Sequence, residues 1–189
     1  MKEGWLLEKG PEFIESIGMI EGQTVLDFGC GEGDYTIPLA RVVGEQGKVY
    51  AIDKKDKAIE RLKKRSRAFE LNNIERLKTE GELEIPLPDD VVDFVLVYDV
   101  IHLIENRKKL YREIRRILKE KGRLSLYPTH YDKPLVFSKM IGRMMAEDED
   151  EIIEEVESCG FELTEKLEKE LIHFRSLRKG QVFNFRRTD

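Results

Sequence analysis

Short apolar runs alternate with longer amphipathic segments along most of the chain. The apolar runs are rich in β-branched residues, which is typical of strands. The fourth run, Val92 to Tyr98, is the most apolar and is therefore predicted to be central in a sheet. The predicted strands cover residues 24–28, 48–53, 74–79, 92–98 and 123–127.

The segments between these strands have the apolar spacing of helices. We predict a helix from Tyr35 to Val43 with Asp34 as its cap, and a second helix capped by Asp56. A third helix is predicted from Asn106 to Lys119, with Lys121-Gly122 ending it. Strands and helices in alternation predict parallel pairing with right-handed crossovers, which is an α/β, doubly wound sheet.

The C-terminal part follows a different pattern. A helix is predicted over residues 149–158, followed by a strand from Phe161 and a last strand from Gln181 to Arg187. No convincing helix separates these two strands, so we expect them to pair as an antiparallel hairpin. Residues 129–149 contain Pro134 and an apolar, methionine-rich set that favours an inserted loop and helix over the sheet edge, as a flexible pocket wall or as ordinary core.

Composition narrows the class of protein. The chain has 189 residues, a length that suits one domain. Its 33 basic and 38 acidic residues nearly cancel to a formal charge of −5, which disfavours a protein that binds nucleic-acid phosphates. A small-molecule ligand is the better hypothesis.

Compartment and metal content are predicted from what the sequence lacks. The longest uncharged run, Leu124 to Tyr131, is far shorter than the roughly 20 apolar residues that cross a bilayer, so no membrane insertion is expected. An acidic residue, Glu3, near the start disfavours a signal peptide. Cys30 and Cys159 are too few for a disulfide framework or a thiolate metal site, so we expect a cytoplasmic protein with no metal.

A glycine turn between the first strand and the first of these helices is the strongest chemical signal. Gly29, Gly31 and Gly33 alternate with other residues there, which lets backbone N–H groups approach a ligand. Asp53 ends the second strand 20 residues beyond Gly33, where a carboxylate can accept both hydroxyl hydrogens of a ribose. The combination predicts an adenosine-type ligand. The spacing is not the one that binds a dinucleotide pyrophosphate, and Glu32 with Asp34 is expected to repel such a group.

Four segments together resemble the class I S-adenosylmethionine-dependent methyltransferases. VLDFGCGEGDYT (residues 25–36) resembles their first motif and VYAID (49–53) their second. Residues 85–104 resemble the fourth-strand segment of the small-molecule branch that includes ubiquinone and menaquinone biosynthesis methyltransferases, and 118–128 resemble the fifth-strand segment. The resemblance implies a Rossmann-like, seven-stranded, mostly parallel sheet, S-adenosylmethionine as cofactor and a small-molecule methyl acceptor.

The resemblance also implies roles for individual residues. Backbone around Gly29 and Gly31 would hold the methionine part, Asp27 would orient that turn, and Asp53 would bind the ribose. Lys54 would lie against the adenine, and Asp99 would hold the methionyl end or face the acceptor. The cofactor-binding residues predicted in this way are Asp27, Gly29, Cys30, Gly31, Asp53, Lys54, Glu82 and Asp99.

The adenine-binding acid departs from the family pattern, in which an acidic and a small residue precede the Pro86-Leu87-Pro88 segment. Lining up that segment puts Gly81 and Glu82 at these positions. Glu80 or Glu82 would substitute by a shift in register, or a backbone carbonyl would bind the adenine amino group instead.

Few residues are candidates for a catalytic base. His130 and Tyr131 follow the fifth strand, where an acceptor would lie, and a histidine there can titrate near neutral pH; a structural loop histidine is an equal alternative. His102 is predicted to pack. His173 could line the pocket from the last loop, but its charged surroundings favour a solvent-exposed side chain.

The domain organisation follows from these assignments. We predict a single methyltransferase domain over residues 1–189, with an N-terminal helical segment (1–21), a cofactor-binding core (22–128), a substrate-side insertion (129–149) and a C-terminal helix and hairpin (150–189).

Two alternatives remain at this level. A nicotinamide-dependent oxidoreductase uses the same kind of sheet, but it predicts pyrophosphate-type glycine spacing. A cofactor-binding protein without catalytic activity fits the scarcity of candidate bases. Oligomeric state stays open.

Overall fold

The computed structural model describes residues 2–79, 81, 83–128, 149–173 and 176–189. The predicted insertion at 129–149 therefore lies outside the described residues apart from Glu149. The strands are β1 (Thr24–Phe28), β2 (Lys48–Asp53), β3 (Ile74–Lys78), β4 (Val92–Tyr98), β5 (Leu118–Tyr127), β6 (Phe161–His173) and β7 (Ser176–Arg187). The helices are α1 (Lys2–Gly4), α2 (Gly10–Ser16), α3 (Thr36–Val43), α4 (Asp56–Ala68), α5 (Arg107–Ile117) and α6 (Glu149–Glu157). A π-helical turn, Trp5–Lys9, joins α1 to α2, and a short 3₁₀ helix, Ile101–Leu103, follows β4.

These strands form one seven-stranded sheet in the order β3-β2-β1-β4-β5-β7-β6. The pairs among β1 to β5 are parallel, and β7 is antiparallel to both β5 and β6. The doubly wound sheet with a C-terminal antiparallel hairpin is confirmed, and β4 is central as predicted. Strand order reverses between β1 and β4, and ligands bind at such a reversal, outside the carboxyl ends of the strands.

Two apolar layers cover the two faces of the sheet. On one face, the N-terminal helices, α3 and Leu62 of α4 pack against apolar side chains such as Val25 and Phe94. On the other face, α5 and α6 bury residues such as Ile114 and Val156 against Val95. Burial on both faces explains why β4 is an almost continuous apolar run rather than an alternating one.

The N-terminal helical segment packs into an aromatic cluster rather than lying apart from the sheet. Trp5 is buried and its indole N–H donates to the backbone oxygen of Asp34, 2.7 Å away. Its ring lies edge-on to Tyr35, which in turn lies edge-on to Tyr98 of β4 at 4.9 Å between ring centroids. These contacts tie the start of the chain to the residues that follow the glycine turn.

Three predicted helix ends are wrong. Tyr35, not Asp34, precedes the first turn of α3, and Lys55, not Asp56, precedes that of α4, with no capping hydrogen bond from either side chain. Helix α5 ends at Ile117, and Lys121-Gly122 lie inside β5, because Leu118 already pairs with Val92 of β4. Tertiary strand pairing overrides the local helix-stop signal here.

Candidate functional site

The glycine turn after β1 is held against the end of β2. The N–H groups of Gly29 and Cys30 both donate to the backbone oxygen of Ile52, at 2.9 and 3.0 Å. Gly29, Gly31 and Gly33 have φ angles of 79°, 53° and 89°, a region that side chains strongly disfavour. Main-chain hydrogen bonds to β2 therefore fix the position of the turn.

Gly31 faces open space, whereas Gly29 does not. A Cβ atom at Gly29 would lie 2.8 Å from the side chain of Val100, so glycine there permits close packing. A Cβ atom at Gly31 would meet nothing nearer than the backbone oxygen of Gly29 at 4.0 Å, and Gly31 lines the cavity described below. The bare backbone of Gly31 thus leaves room for a ligand.

Asp53 links the end of β2 to this turn. One carboxylate oxygen accepts the N–H of Gly31 at 2.9 Å, and the other accepts the N–H of Lys55 at 2.8 Å. A carboxylate has about four acceptor positions. Asp53 can therefore accept further hydrogen bonds from a ligand while it positions the turn.

Asp27 lies behind the turn rather than in the cavity. Its carboxylate accepts a 2.6 Å hydrogen bond from the Thr36 hydroxyl and is almost fully buried. The pKa of Asp27 is raised to about 7, mainly by burial; the Thr36 hydrogen bond lowers it in part, and the carboxylates of Asp53 and Asp34 add to the rise. The role expected of Asp27, to orient the turn, stays a prediction.

Two arginines of α4 neutralise the acids of the turn. Arg65 donates to the backbone oxygen of Glu32 at 2.8 Å and to the carboxylates of Asp34 and Glu32 at 2.7 and 3.1 Å. Arg61 makes a further ion pair with Glu32. The prediction that Glu32 and Asp34 repel a pyrophosphate assumed uncompensated charges. That assumption is wrong, because arginines pair with both carboxylates.

Asp99 follows β4 in a conformation unusual for a residue with a side chain, with φ of 56°. Its N–H donates to the backbone oxygen of Tyr127 at the end of β5, 3.1 Å away. The Nδ1 atom of His173 lies 2.7 Å from its Oδ2 atom. His173 is only 6% exposed. The prediction of a solvent-exposed side chain at this position is therefore wrong.

A cavity of about 820 Å³ lies at the carboxyl ends of β1, β2 and β4. Six of the predicted cofactor-binding residues line it together: Gly29, Cys30, Gly31, Asp53, Lys54 and Asp99. Asp27 does not line it. Glu82, Glu80, His130 and Tyr131 lie outside the described residues, and Gly81, between the two glutamates, lines the cavity. Pockets of this size hold cofactors and drug-sized ligands.

Several lining residues were not predicted from the sequence. Most are apolar or aromatic and come from the segments after β1 and β4 and from the end of β6: Tyr35, Tyr98, Val100, Leu103, Ile104 and Ile172. Position directly after a parallel strand identifies most of them, and the sequence carries that signal. No local signal identifies Ile172 or its neighbour His173.

The direction of β6 explains why His173 reaches this edge. Two antiparallel steps, β5 to β7 and β7 to β6, make β6 run the same way as β5. Its carboxyl end therefore lies at the ligand-binding edge. The hairpin also continues to the His173–Ser176 pair, beyond the last β5 partner of β7, Phe183.

The chain is similar to known methyltransferases. A family model described as "Methyltransferase domain" matches residues 20–173. The ubiquinone/menaquinone biosynthesis C-methyltransferase UbiE of Salmonella arizonae is 32% identical over 124 residues, covering 65% of this chain and 48% of the relative. The chain thus spans about half the length of the curated relatives it matches.

Solved structures give the same result over nearly the whole chain. A SAM-dependent methyltransferase from Aquifex aeolicus superposes with a TM-score of 0.78 at 26% identity, covering 98% of this chain and 93% of the other. A SAM-dependent methyltransferase from Methanosarcina mazei, at 20% identity, shares the fold with a TM-score of 0.70, covering 93% and 97%.

The chain belongs to the methyltransferase-domain family. This membership confirms the predicted methyltransferase family, and solved SAM-dependent methyltransferases share its fold. The nicotinamide-dependent alternative is set aside. Among the described residues no helix is long and apolar enough to cross a membrane.

Proposed function

We propose that this protein transfers a methyl group from S-adenosylmethionine to a small-molecule acceptor. One observation carries the proposal: Asp53 binds the N–H of Gly31, and Gly31 presents bare backbone to the same cavity that Asp53 lines. A glycine turn and a strand-end carboxylate in contact are the arrangement that an adenosine with a polar tail requires.

The residues present fit this cofactor. Asp53 has acceptor positions left for the two ribose hydroxyls, and Lys54 lies beside it on the cavity wall for the adenine. The bare backbone of Gly31 is open for the methionine part, and Asp99, just after β4, lines the same cavity. When bound, the cofactor supplies an electrophilic methyl group on a sulfonium.

A small acceptor agrees with the rest of the cavity. Its wall beyond the turn is apolar and aromatic, with Tyr35, Tyr98 and Ile172 among the lining residues. The curated relative is named for methylation in ubiquinone and menaquinone biosynthesis, which is small-molecule chemistry. The nearly balanced charge disfavours a nucleic-acid acceptor, and a cytoplasmic location stays a prediction.

Calorimetric titration with three ligands tests the proposal. We expect S-adenosylmethionine and S-adenosylhomocysteine to bind and NAD to give no heat of binding. Tight NAD binding without a response to S-adenosylhomocysteine would overturn it.

The substitution Asp53→Ala tests the placement of the ribose. Losing a charged acceptor of this kind should weaken S-adenosylhomocysteine binding by about 1–3 kcal/mol, measured by calorimetry. Asp56→Ala is the matched control, since Asp56 lies three residues away, 78% exposed, and pairs with Lys78 outside the cavity. Equal affinity for both variants would contradict the assignment.

A further inference from the structure

We propose that Asp99 and His173 form a carboxylate–imidazole pair that takes the proton from the methyl acceptor. The inference rests on the proposed function and names the class of acceptor: a molecule whose nucleophile is a hydroxyl or an amine that must lose a proton. Asp99 is the catalytic residue, and His173 is a positioning residue that acts through it.

The pair lies at the wall of the cavity. Asp99 lines the cavity, its side chain is about a quarter exposed, and His173 lies behind it, almost fully buried. The left-handed backbone of Asp99 is held by its hydrogen bond to Tyr127. Such backbone conformations are costly for residues with a side chain and are concentrated at functional sites.

The other acids near the cavity are committed to different contacts. Asp53 accepts two backbone N–H groups, and Glu32 and Asp34 are bound by arginines. Asp27 is covered by the turn. Among the lining carboxylates of the described chain, Asp99 is the one with an imidazole nitrogen within 3 Å.

The chemistry of the pair suits proton uptake. The 2.7 Å separation of Nδ1 and Oδ2 brings the two groups close enough to share a proton. A neutral imidazole beside an ionised carboxylate has a net charge of −1. It can take a second proton and become neutral overall. The imidazole has two nitrogen atoms, so it can hold the additional proton while the carboxylate stays next to it.

The transfer then balances. A lone pair of the acceptor oxygen or nitrogen forms the bond to the methyl carbon, while the carbon–sulfur bond breaks and its electrons stay on sulfur. The proton of the acceptor passes to the carboxylate of Asp99. It leaves to water when the products depart, which restores the pair.

The remaining ionisable groups around Asp99 do not compete for the proton. Tyr35, Tyr98 and Tyr127 face this region, and burial raises the pKa of each phenol, so all three stay neutral near pH 7. Asp27 lies behind the turn, and Arg178 of β7 lies near Tyr127. Both are present in every variant compared below.

The experiment measures transfer of tritium from methyl-labelled S-adenosylmethionine to three probes: phenol and benzylamine, which lose a proton, and dimethyl sulfide, which has none to lose. Wild type, Asp99→Asn and His173→Gln are compared, with His102→Gln as the control histidine. Asparagine tolerates the left-handed conformation at residue 99, so that variant retains the backbone. Binding of S-adenosylhomocysteine is measured on each protein.

We expect transfer to phenol or benzylamine that falls about 100-fold in Asp99→Asn and His173→Gln, the usual contribution of a general base. S-adenosylhomocysteine affinity of His173→Gln should stay within about threefold, and His102→Gln should match wild type. Because Asp99 also lines the proposed cofactor cavity, transfer by Asp99→Asn is measured at saturating S-adenosylmethionine. The pH profile of transfer should also change in His173→Gln, because the Asp99 carboxylate alone then remains to take the proton. Loss of a merely structural histidine would leave the shape of that profile unchanged.

Three results would overturn the pair while leaving the proposed function standing. These are equal transfer by wild type and Asp99→Asn, methylation of dimethyl sulfide alone, and no transfer to any probe by a protein that binds S-adenosylhomocysteine. Failure of wild type to bind S-adenosylhomocysteine would instead overturn the proposed function, and the inference with it.

Discussion

At the residue scale, the site is built from groups whose properties depend on burial. Asp53 and Gly31 were identified from the sequence because both follow directly from strand ends. His173 was misread because its partner, Asp99, is distant in sequence and only the fold brings them within 2.7 Å. The composition of the surrounding sequence does not predict burial correctly when the residues that pack on a side chain come from distant parts of the chain.

Asp27 makes the stability of the protein depend on pH. Its pKa is about 7 in the folded protein and 3.8 in the ordinary state, so between pH 4 and pH 7 the folded form holds a proton that the unfolded chain has released. The free energy of unfolding therefore falls as pH rises through this range, by up to about 4 kcal/mol.

Asp27→Asn should remove this dependence. Relative to wild type, the variant should gain stability as pH rises from 4 to 8, measured by urea unfolding at several pH values. Asp56→Asn, at an exposed site, should follow the wild-type curve. A constant difference between Asp27→Asn and wild type across the range would contradict the raised pKa.

At the element scale, α4 does more than fill the space between β2 and β3. Most of the basic residues along this helix are exposed. Arg65, however, is half-buried and makes three hydrogen bonds to the glycine turn. The helix that follows Asp53 therefore also positions the glycine turn.

Arg65→Met should lower the free energy of unfolding by about 1–2 kcal/mol, because it leaves Glu32 and Asp34 without this partner in a partly buried place. It should also weaken S-adenosylhomocysteine binding several-fold, measured by calorimetry. Arg67→Met, two residues along on the exposed face, is the matched control. Unfolding curves and affinities identical to that control would show that the turn holds its shape without Arg65.

At the scale of the whole molecule, insertion of β7 between β5 and β6 decides what reaches the site. A buried chain of polar groups accompanies this insertion: the Tyr98 and Ser125 hydroxyls lie 2.7 Å apart, and Ser125 donates to Asn184 of β7 at 2.6 Å. These bonds cross from β4 through β5 to β7 and fix the register of the three strands, since unpaired polar groups there would be costly.

Phe183→Ala tests how strongly the fold depends on β7. Phe183 is fully buried and pairs with Leu126 of β5 and Lys166 of β6. Its truncation should cost about 3–5 kcal/mol in the free energy of unfolding, measured by urea denaturation. Ile20→Ala, at a side chain 63% exposed, should change it by less than about 0.5 kcal/mol. A small effect at Phe183 would mean that the hairpin packs loosely on the sheet.

The sequence by itself determined the order of strands and helices, the glycine turn and the carboxylate that faces it. Each of these depends on local periodicity or on the few residues after a strand, and such signals are short-range. Helix ends at Ile117 and Tyr35 were missed because strand pairing and long-range contacts compete with local capping signals.

Only the tertiary structure decided which charges are compensated and which distant groups meet. Arg65 neutralises the acids of the turn across a helix and a strand, and β6 carries His173 to Asp99 because two antiparallel steps restore the direction of β5. The proposed cofactor site depends on residues that follow strand ends along the chain, so local sequence signals identify it. The Asp99–His173 pair depends on neighbours in space, because it forms where the C-terminal hairpin extends beyond its last pair with β5.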